Sequence, residues 1–346
     1  MDKLEKQDLL QSIRELLVVS KQDVYRYVNT RMVYVYFEIG RQIVEYEQGG
    51  KYTAEYGKKT LKYLSDRLIQ EFGRGFSVRN LEYMRYFFLI YNKSFQKTKT
   101  LSAKSSTHIS SSAKKQEFPL SWSHYVFLMR LDEPIRNFYE IESEQNNWSL
   151  RELKRQFNSG LYERLLVGKN KEEILRLSKE GQIIEKPKDL IKDPYIFEFL
   201  DIKENRKYQE KDIESMLIDN LQEFLLELGK GFAFVSRQQR ISFSEQHYYI
   251  DLVFYNRLLK CFVLFDIKIG ELKHQDLGQL QMYVNYYDRR VKVEGENSTI
   301  GILLCADKEN SMVEMTLPKE NTQVFASKYR LFLPTKEELL EQIRGV

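Results

Sequence analysis

Through residue 92, apolar residues recur at steps of three and four, as at Leu10, Ile13, Leu16 and Leu17, which is the spacing of one helix face. The next stretch, VYRYVNTRMVYVYFEIGRQIVEYE, is rich in tyrosine and could pass for strand. Its length predicts one long helix instead. In LKYLSDRLIQEFGRGFSVRNLEYMRYFFLIY the pattern reads as helix, a Gly-Arg-Gly turn, and a second helix capped by Ser77. A short glycine-containing turn between two helices is the helix-turn-helix pattern, here near residues 60–90. Its second helix keeps Val78, Leu81, Met84 and Phe88 for the core and leaves Arg79, Asn80, Tyr83 and Tyr86 outward. Arg and Asn near a helix start are what major-groove reading uses. An ordinary helical hairpin has the same pattern.

Residues 93–117 are rich in Ser, Thr and Lys and poor in large apolar groups, so they read as a flexible basic linker or long loop. Helical patterning then resumes, with Ser149 and Glu152 at capping-box spacing. From about residue 190 the texture changes. A helix, DIESMLIDNLQEFLLELG, precedes the β-branched and aromatic runs GFAFVSRQQRISF, HYYIDLVFYN and KCFVLFDIKIG. Another helix, the run STIGILLCAD, a further strand and a last helix follow. The expectation is a helical N-terminal domain over 1–170 and an α/β domain with a central mixed sheet over 190–346.

Charge narrows the partners. The 54 Lys and Arg against 50 Asp and Glu leave a net charge of +4, so any nucleic-acid surface must be a local patch rather than a global field. Cys261 and Cys305 cannot build a disulfide framework or a four-thiolate zinc site. The histidines at 108, 124, 247 and 274 show no metal-ligand spacing, which leaves a carboxylate-held metal as the remaining option. No apolar run reaches the ~18 residues that a membrane span needs. The opening MDKLEKQDLL lacks an apolar signal core, so a cytoplasmic protein is expected.

The chemistry gathers on two adjacent strands. Asp251 closes the alternating run HYYID, and Asp266 and Lys268 follow the very apolar CFVLF. Residues 266 and 268 share one strand face, and Asp251 can reach the same spot from a strand about 4.8 Å away. Desolvating such charges is expensive unless they are paired or hold a metal. On the preceding helix, Glu214 falls one turn back on the apolar stripe of Leu217, Leu221, Phe224 or Leu225, and Leu228. Glu223 and Glu227 fall off that stripe and read as solvated. Gln279 and Tyr283, four apart, share a helix face. His247 and His274 flank the cluster and read as surface residues; the two cysteines read as buried strand residues. Taken alone, Asp251, Asp266 and Lys268 fit either a structural ion pair on a sheet face or a hydrolytic centre.

Asp251, then Asp266-Ile267-Lys268, then Gln279 and Tyr283 at QxxxY spacing, resembles the PD-(D/E)XK nuclease superfamily. The segments GFAFVSRQQRI, YYIDLVFYNRLLKCFVLFDIKIG and GQLQMYVNYYD, with YGKKTLKYLSDRLIQEFGRGFSVRNLEYMRYF, LSWSHY and WSLRELKRQ upstream, are similar to the YhcG-type family of predicted bacterial nucleases. The resemblance implies a restriction-endonuclease-like fold and metal-dependent hydrolysis of phosphodiester bonds, above all in DNA. It implies that Asp251, Asp266 and the main-chain carbonyl of Ile267 bind Mg²⁺ or Mn²⁺. Lys268 would position and activate water or offset transition-state charge, and Gln279 would orient the water or Lys268. Glu214 matches the acid of the first core helix. One departure stands at 266, where that family more often carries Glu. For nucleic-acid contact outside the centre, Arg79, Asn80 and Tyr83 are the candidates. A homodimer would suit cutting both strands, and other subunits of a defence or repair system would be natural partners. Two other readings stand beside this one: a catalytically weak nucleic-acid-binding or recombination accessory protein, and a structural assembly factor with a vestigial site.

Overall fold

A computed structural model of the chain describes residues 3–49, 54–103, 118–166, 170–202, 208–243, 246–335 and 338. They divide into two compact units, 1–153 and 154–346.

The tyrosine-rich stretch is helical because nothing in it breaks the helix, and it forms part of one long element, α1 (Lys3–Gly49). α2 (Ala54–Phe72) and α3 (Val78–Ala103) follow, joined by the predicted glycine turn, with Gly73 at φ 88°. Ser77 caps α3: its Oγ accepts from the Asn80 amide at 3.3 Å. Then come α4 (Trp122–Leu128), α5 (Glu133–Gln145) and α6 (Leu150–Asn158). The Ser149 capping box is made, with the Glu152 amide on Ser149 Oγ and the Ser149 amide on Glu152 Oε2. Leu81, Met84 and Phe88 are buried as expected. Gly40 lets α1 and α3 cross closely, because a Cβ there would lie 2.0 Å from the Met84 carbonyl oxygen. The first half of α1 turns Leu10, Ile13, Leu17, Val24 and Tyr27 to solvent. α3 continues through residues 93–103, the start of the segment read as a linker; 104–117 lie outside the described residues.

The second unit takes in the end of α6 from Lys154, then α7 (Leu161–Leu166), α8 (Lys171–Glu180) and the short strand β1 (Tyr195–Ile196). The predicted helix over 212–229 is two helices, α9 (Glu210–Asp219) and α10 (Leu221–Leu228). Asn220 breaks it: its own backbone leaves the helical region, and its side chain donates back to the Met216 carbonyl at 2.9 Å. The strands β2 (Phe232–Phe243), β3 (Gln246–Asn256) and β4 (Cys261–Glu271) form consecutive antiparallel hairpins. α11 (His274–Arg290) carries the chain to β5 (Ile300–Asp307), parallel to β4. α12 (Asn310–Thr316) leads to β6 (Val324–Arg330), parallel to β5. The sheet order is β1-β6-β5-β4-β3-β2. The last predicted helix lies outside the described residues apart from 338.

Apolar clusters cover the sheet. One packs Ile213, Leu217, Phe224 and Leu228 of α9 and α10 against Phe254, Phe265 and Ile302. The other packs Leu277, Leu280 and Val284 of α11 against Val253, Leu264 and Leu303. Gly301 lets α11 approach β5, since a Cβ there would lie 2.8 Å from Leu280 and Val284. Cys261 and Cys305 are buried, free strand residues, as expected.

Glu227 corrects the sequence reading. It is fully buried rather than solvated. Its carboxylate accepts from Arg164 at 2.6 Å, from Arg155 at 3.3 Å and from the Ile196 amide at 3.0 Å. A helical stripe counts apolar neighbours only. It does not register arginines arriving from distant positions to neutralise an acid in the interior.

Candidate active site

The β3–β4 register, with Leu252 opposite Phe265, brings Asp251 beside Asp266 at the end of the paired segment. Asp251 Oδ2 accepts from the Ile267 amide at 2.8 Å, and its Oδ1 accepts from Gln238 Nε2 at 2.9 Å. The same Gln238 nitrogen donates to Glu214 Oε2 at 2.6 Å. Lys268 Nζ lies 3.0 Å from Asp266 Oδ2 and 3.7 Å from Glu210 Oε2. Arg237 approaches Glu214 Oε1 at 3.4 Å from an exposed position. Glu214 and Asp266 are each only 2% exposed. Four of the predicted residues, Glu214, Asp251, Asp266 and Lys268, therefore converge through three elements.

Gln279 and Tyr283 stand behind them on α11. Gln279 Nε2 donates to the Tyr283 hydroxyl, which in turn donates to the Tyr249 carbonyl at 3.1 Å. The Gln279 amide is thus engaged with a buried tyrosine. His247 is exposed beside Ser242 and Arg240, and His274 is exposed, as expected.

The electrostatics follow from burial. Burial pushes the Asp266 carboxyl up to about 7; the Asp251 charge adds to this and Lys268 opposes it. Burial also raises Asp251, against the Ile267 amide, Lys268 and Gln238. Glu214 is raised by burial, with Gln238 opposing and Asp251 adding. Burial alone would lower Lys268, but Asp266, Glu210 and Asp251 outweigh it and hold the ammonium charged.

This donor set fits a hard divalent cation. Asp266 Oδ2 is buried and accepts no aligned hydrogen bond among the described residues; its partner is the Lys268 ammonium. Asp266, buried, and Asp251, half-buried, are two adjacent carboxylates offset by one ammonium, so the site is short of positive charge. Among the described residues there is no cage of three or more His, Cys, Asp or Glu side chains. Two carboxylates and a main-chain carbonyl suit Mg²⁺, which keeps several of its waters.

Sequence reasoning missed Gln238, Glu210 and Arg237. Glu210 lies one turn before Glu214 and could have been found by helical spacing. Gln238 was hidden by an irregularity in β2, described below.

In the helical unit, Arg79 Nε donates to the Tyr83 hydroxyl at 3.0 Å, and Arg130 Nη2 reaches the same oxygen at 3.3 Å. Asn80 is otherwise engaged: its amide donates to the Gly75 carbonyl and accepts from Trp122 Nε1 at 2.8 Å. The structure thus brings Arg79, Tyr83 and Arg130 together and uses Asn80 to close the turn.

A helical region followed by a six-stranded mixed sheet, with paired acids and a lysine on its central strands, defines a restriction-endonuclease-like nuclease architecture. Residues 188–344 match the YhcG PDDEXK nuclease domain, and residues 12–164 match the DUF1016 N-terminal domain. A protein of Escherichia coli (strain K12) named "Putative nuclease YhcG" is 35% identical over 352 residues, covering 97% of this chain and 93% of that protein. The chain belongs to the YhcG family of PDDEXK nucleases. Among solved structures, a repair endonuclease from Pyrococcus abyssi is 19% identical over 38% of this chain and 50% of that one, with a TM-score of 0.26. An EndoMS–dsDNA complex is 15% identical over 39% and 51%, also at 0.26. The chain spans about half the length of those endonuclease chains. Among the described residues no helix is long and apolar enough to cross a membrane.

Proposed function

We propose that the chain hydrolyses phosphodiester bonds in DNA with a divalent cation, Mg²⁺ or Mn²⁺, held by Asp251, Asp266 and the main-chain carbonyl of Ile267. The observation that carries this reading is the convergence of Asp251, Asp266 and Lys268, with an under-compensated buried carboxylate at its centre. The cation, when bound, lowers the pKa of water and offsets phosphate charge. Lys268, a charged ammonium between Asp266 and Glu210, would orient the attacking water and offset charge on the phosphoryl oxygens. Glu214 would add negative charge behind Asp251. Gln279 supports Tyr283 and through it the β3 backbone at Tyr249. Arg79 and Arg130, two guanidiniums on one exposed phenol, would contact phosphates outside the centre.

The test is cleavage of supercoiled, linear, branched and single-stranded DNA, and of RNA, with Mg²⁺, Mn²⁺ or EDTA. Lys268→Ala and Asp251→Ala proteins of unchanged circular dichroism run alongside. The expected result is metal-dependent cutting of DNA lost in both variants. Cutting that persists in both sinks the proposed centre. Salt-sensitive DNA binding without any cutting favours the accessory binder.

A further inference from the structure

We propose that Gln238 is a positioning residue of this centre, whose amide holds Asp251 and Glu214 in the orientation that receives the cation. The inference rests on the hydrolytic reading above.

Gln238 lies within β2 yet has φ 45°, a left-handed conformation that residues other than Gly, Asn and Asp seldom adopt. Such a residue persists only where its surroundings over-determine it, and an outlier of this kind points to a function. Its own side chain holds it there. Its Nε2 carries two hydrogens, and two carboxylates accept from it, Glu214 Oε2 at 2.6 Å and Asp251 Oδ1 at 2.9 Å. Bonds to charged acceptors are roughly twice as strong as neutral ones.

The backbone is arranged to deliver this side chain. Upstream, Phe234 pairs with Phe254; downstream, Ser236 pairs with Val253, so Val235 is an extra residue in β2. Beyond it, Arg237 pairs with Leu252 and Gln239 with Ile250, which leaves Gln238 opposite Asp251. Without the extra residue, Arg237 would stand opposite Asp251. The bulge therefore sets a neutral amide between the two acids and leaves the guanidinium at the solvent edge of Glu214.

The amide does what a cation there could not do without competing for the same carboxylates. It joins two acids that repel each other, and it leaves lone pairs on both for a metal. With the Ile267 amide on Oδ2, Gln238 fixes both oxygens of Asp251. Partners of this kind tune affinity: their loss typically weakens metal binding by about 10–100-fold.

The experiment measures Mn²⁺ binding to the full chain by calorimetry and electron paramagnetic resonance, without nucleic acid, alongside DNA cleavage. The variants are Gln238→Ala, Gln238→Asn and Gln238→Gly. The expected result is an Mn²⁺ Kd raised about 10–100-fold in the Ala and Gly proteins, with kcat lowered and KM for DNA little changed. Asn tolerates the left-handed backbone but is one methylene short of bridging both acids, so it should not restore affinity. Gly relieves the backbone, so its thermal midpoint should hold or rise. That variant keeps the test sharp if Ala folds poorly. Wild-type Mn²⁺ affinity in a folded Gln238→Gly protein overturns the proposal and leaves the nuclease reading intact. A wild-type protein that neither binds Mn²⁺ nor cuts overturns both.

Discussion

Replacing Glu227 by Gln tests whether the interior acid of α10 is a structural keystone of the sheet unit. Burial by itself pushes the Glu227 carboxyl up, yet Arg164, Lys192 and Arg155 outweigh that effect and bring it down to about 2. Against its ordinary value of 4.5, a shift of this size corresponds to about 3 kcal/mol favouring the charged form in the folded chain. Glu227→Gln keeps the shape and removes the charge, leaving Arg164 buried without its counter-ion. Breaking a buried pair by removing one partner costs about 3–5 kcal/mol, so the two magnitudes agree. The folded-state pKa is depressed, so this stabilisation is fully present above about 4.5 and is lost as pH falls through about 2. The gap between wild type and variant should be widest near neutral pH and close in acid. Both tryptophans, Trp122 and Trp148, lie in the helical unit, so urea unfolding should be followed by far-ultraviolet circular dichroism. A loss below about 1 kcal/mol at pH 7, or a gap that stays constant down to the folded pKa, would refute the charge-network account.

The remaining predictions concern the surface, the sheet and one cap. Arg79→Ala with Arg130→Ala should weaken DNA binding across sequences and flatten the salt dependence by about two ions, read from the slope of log K against log salt; an unchanged slope removes that patch from the interface. Gly301→Ala should destabilise the sheet unit by about 1–3 kcal/mol in denaturant melts, because the new methyl meets Leu280 and Val284 at 2.8 Å. Ser149→Ala should cost about 1 kcal/mol in the helical unit, followed by tryptophan fluorescence.

Much of the candidate centre was legible in the sequence. Asp251, Asp266 and Lys268 stand out because charges beside pentapeptides as apolar as CFVLF demand a reason, and period-two alternation puts 266 and 268 on one face. Glu214 was found by stepping one turn back along an apolar stripe, and it is buried as that step implied. Gln238 was not legible. Its place opposite Asp251 depends on one extra residue in β2, and a single-residue shift reverses which side chain faces which.

What the sequence determined by itself is therefore local: element type from periodicity, caps from Ser77 and Ser149, the glycine turn after α2, and the spacing of the catalytic candidates. The signals for these lie within a few residues, at the reach of one helical turn or one strand pair. Tertiary structure decided the rest. It buried Glu227 by bringing Arg155 and Arg164 to it across long chain separations, and it turned Asn80 onto Trp122. It left Leu10, Ile13 and Leu17 exposed although their spacing matches that of buried faces. Periodicity says that a face exists. Whether another element covers that face, and which charges meet beneath it, depends on contacts between residues far apart in the chain, which no local pattern encodes.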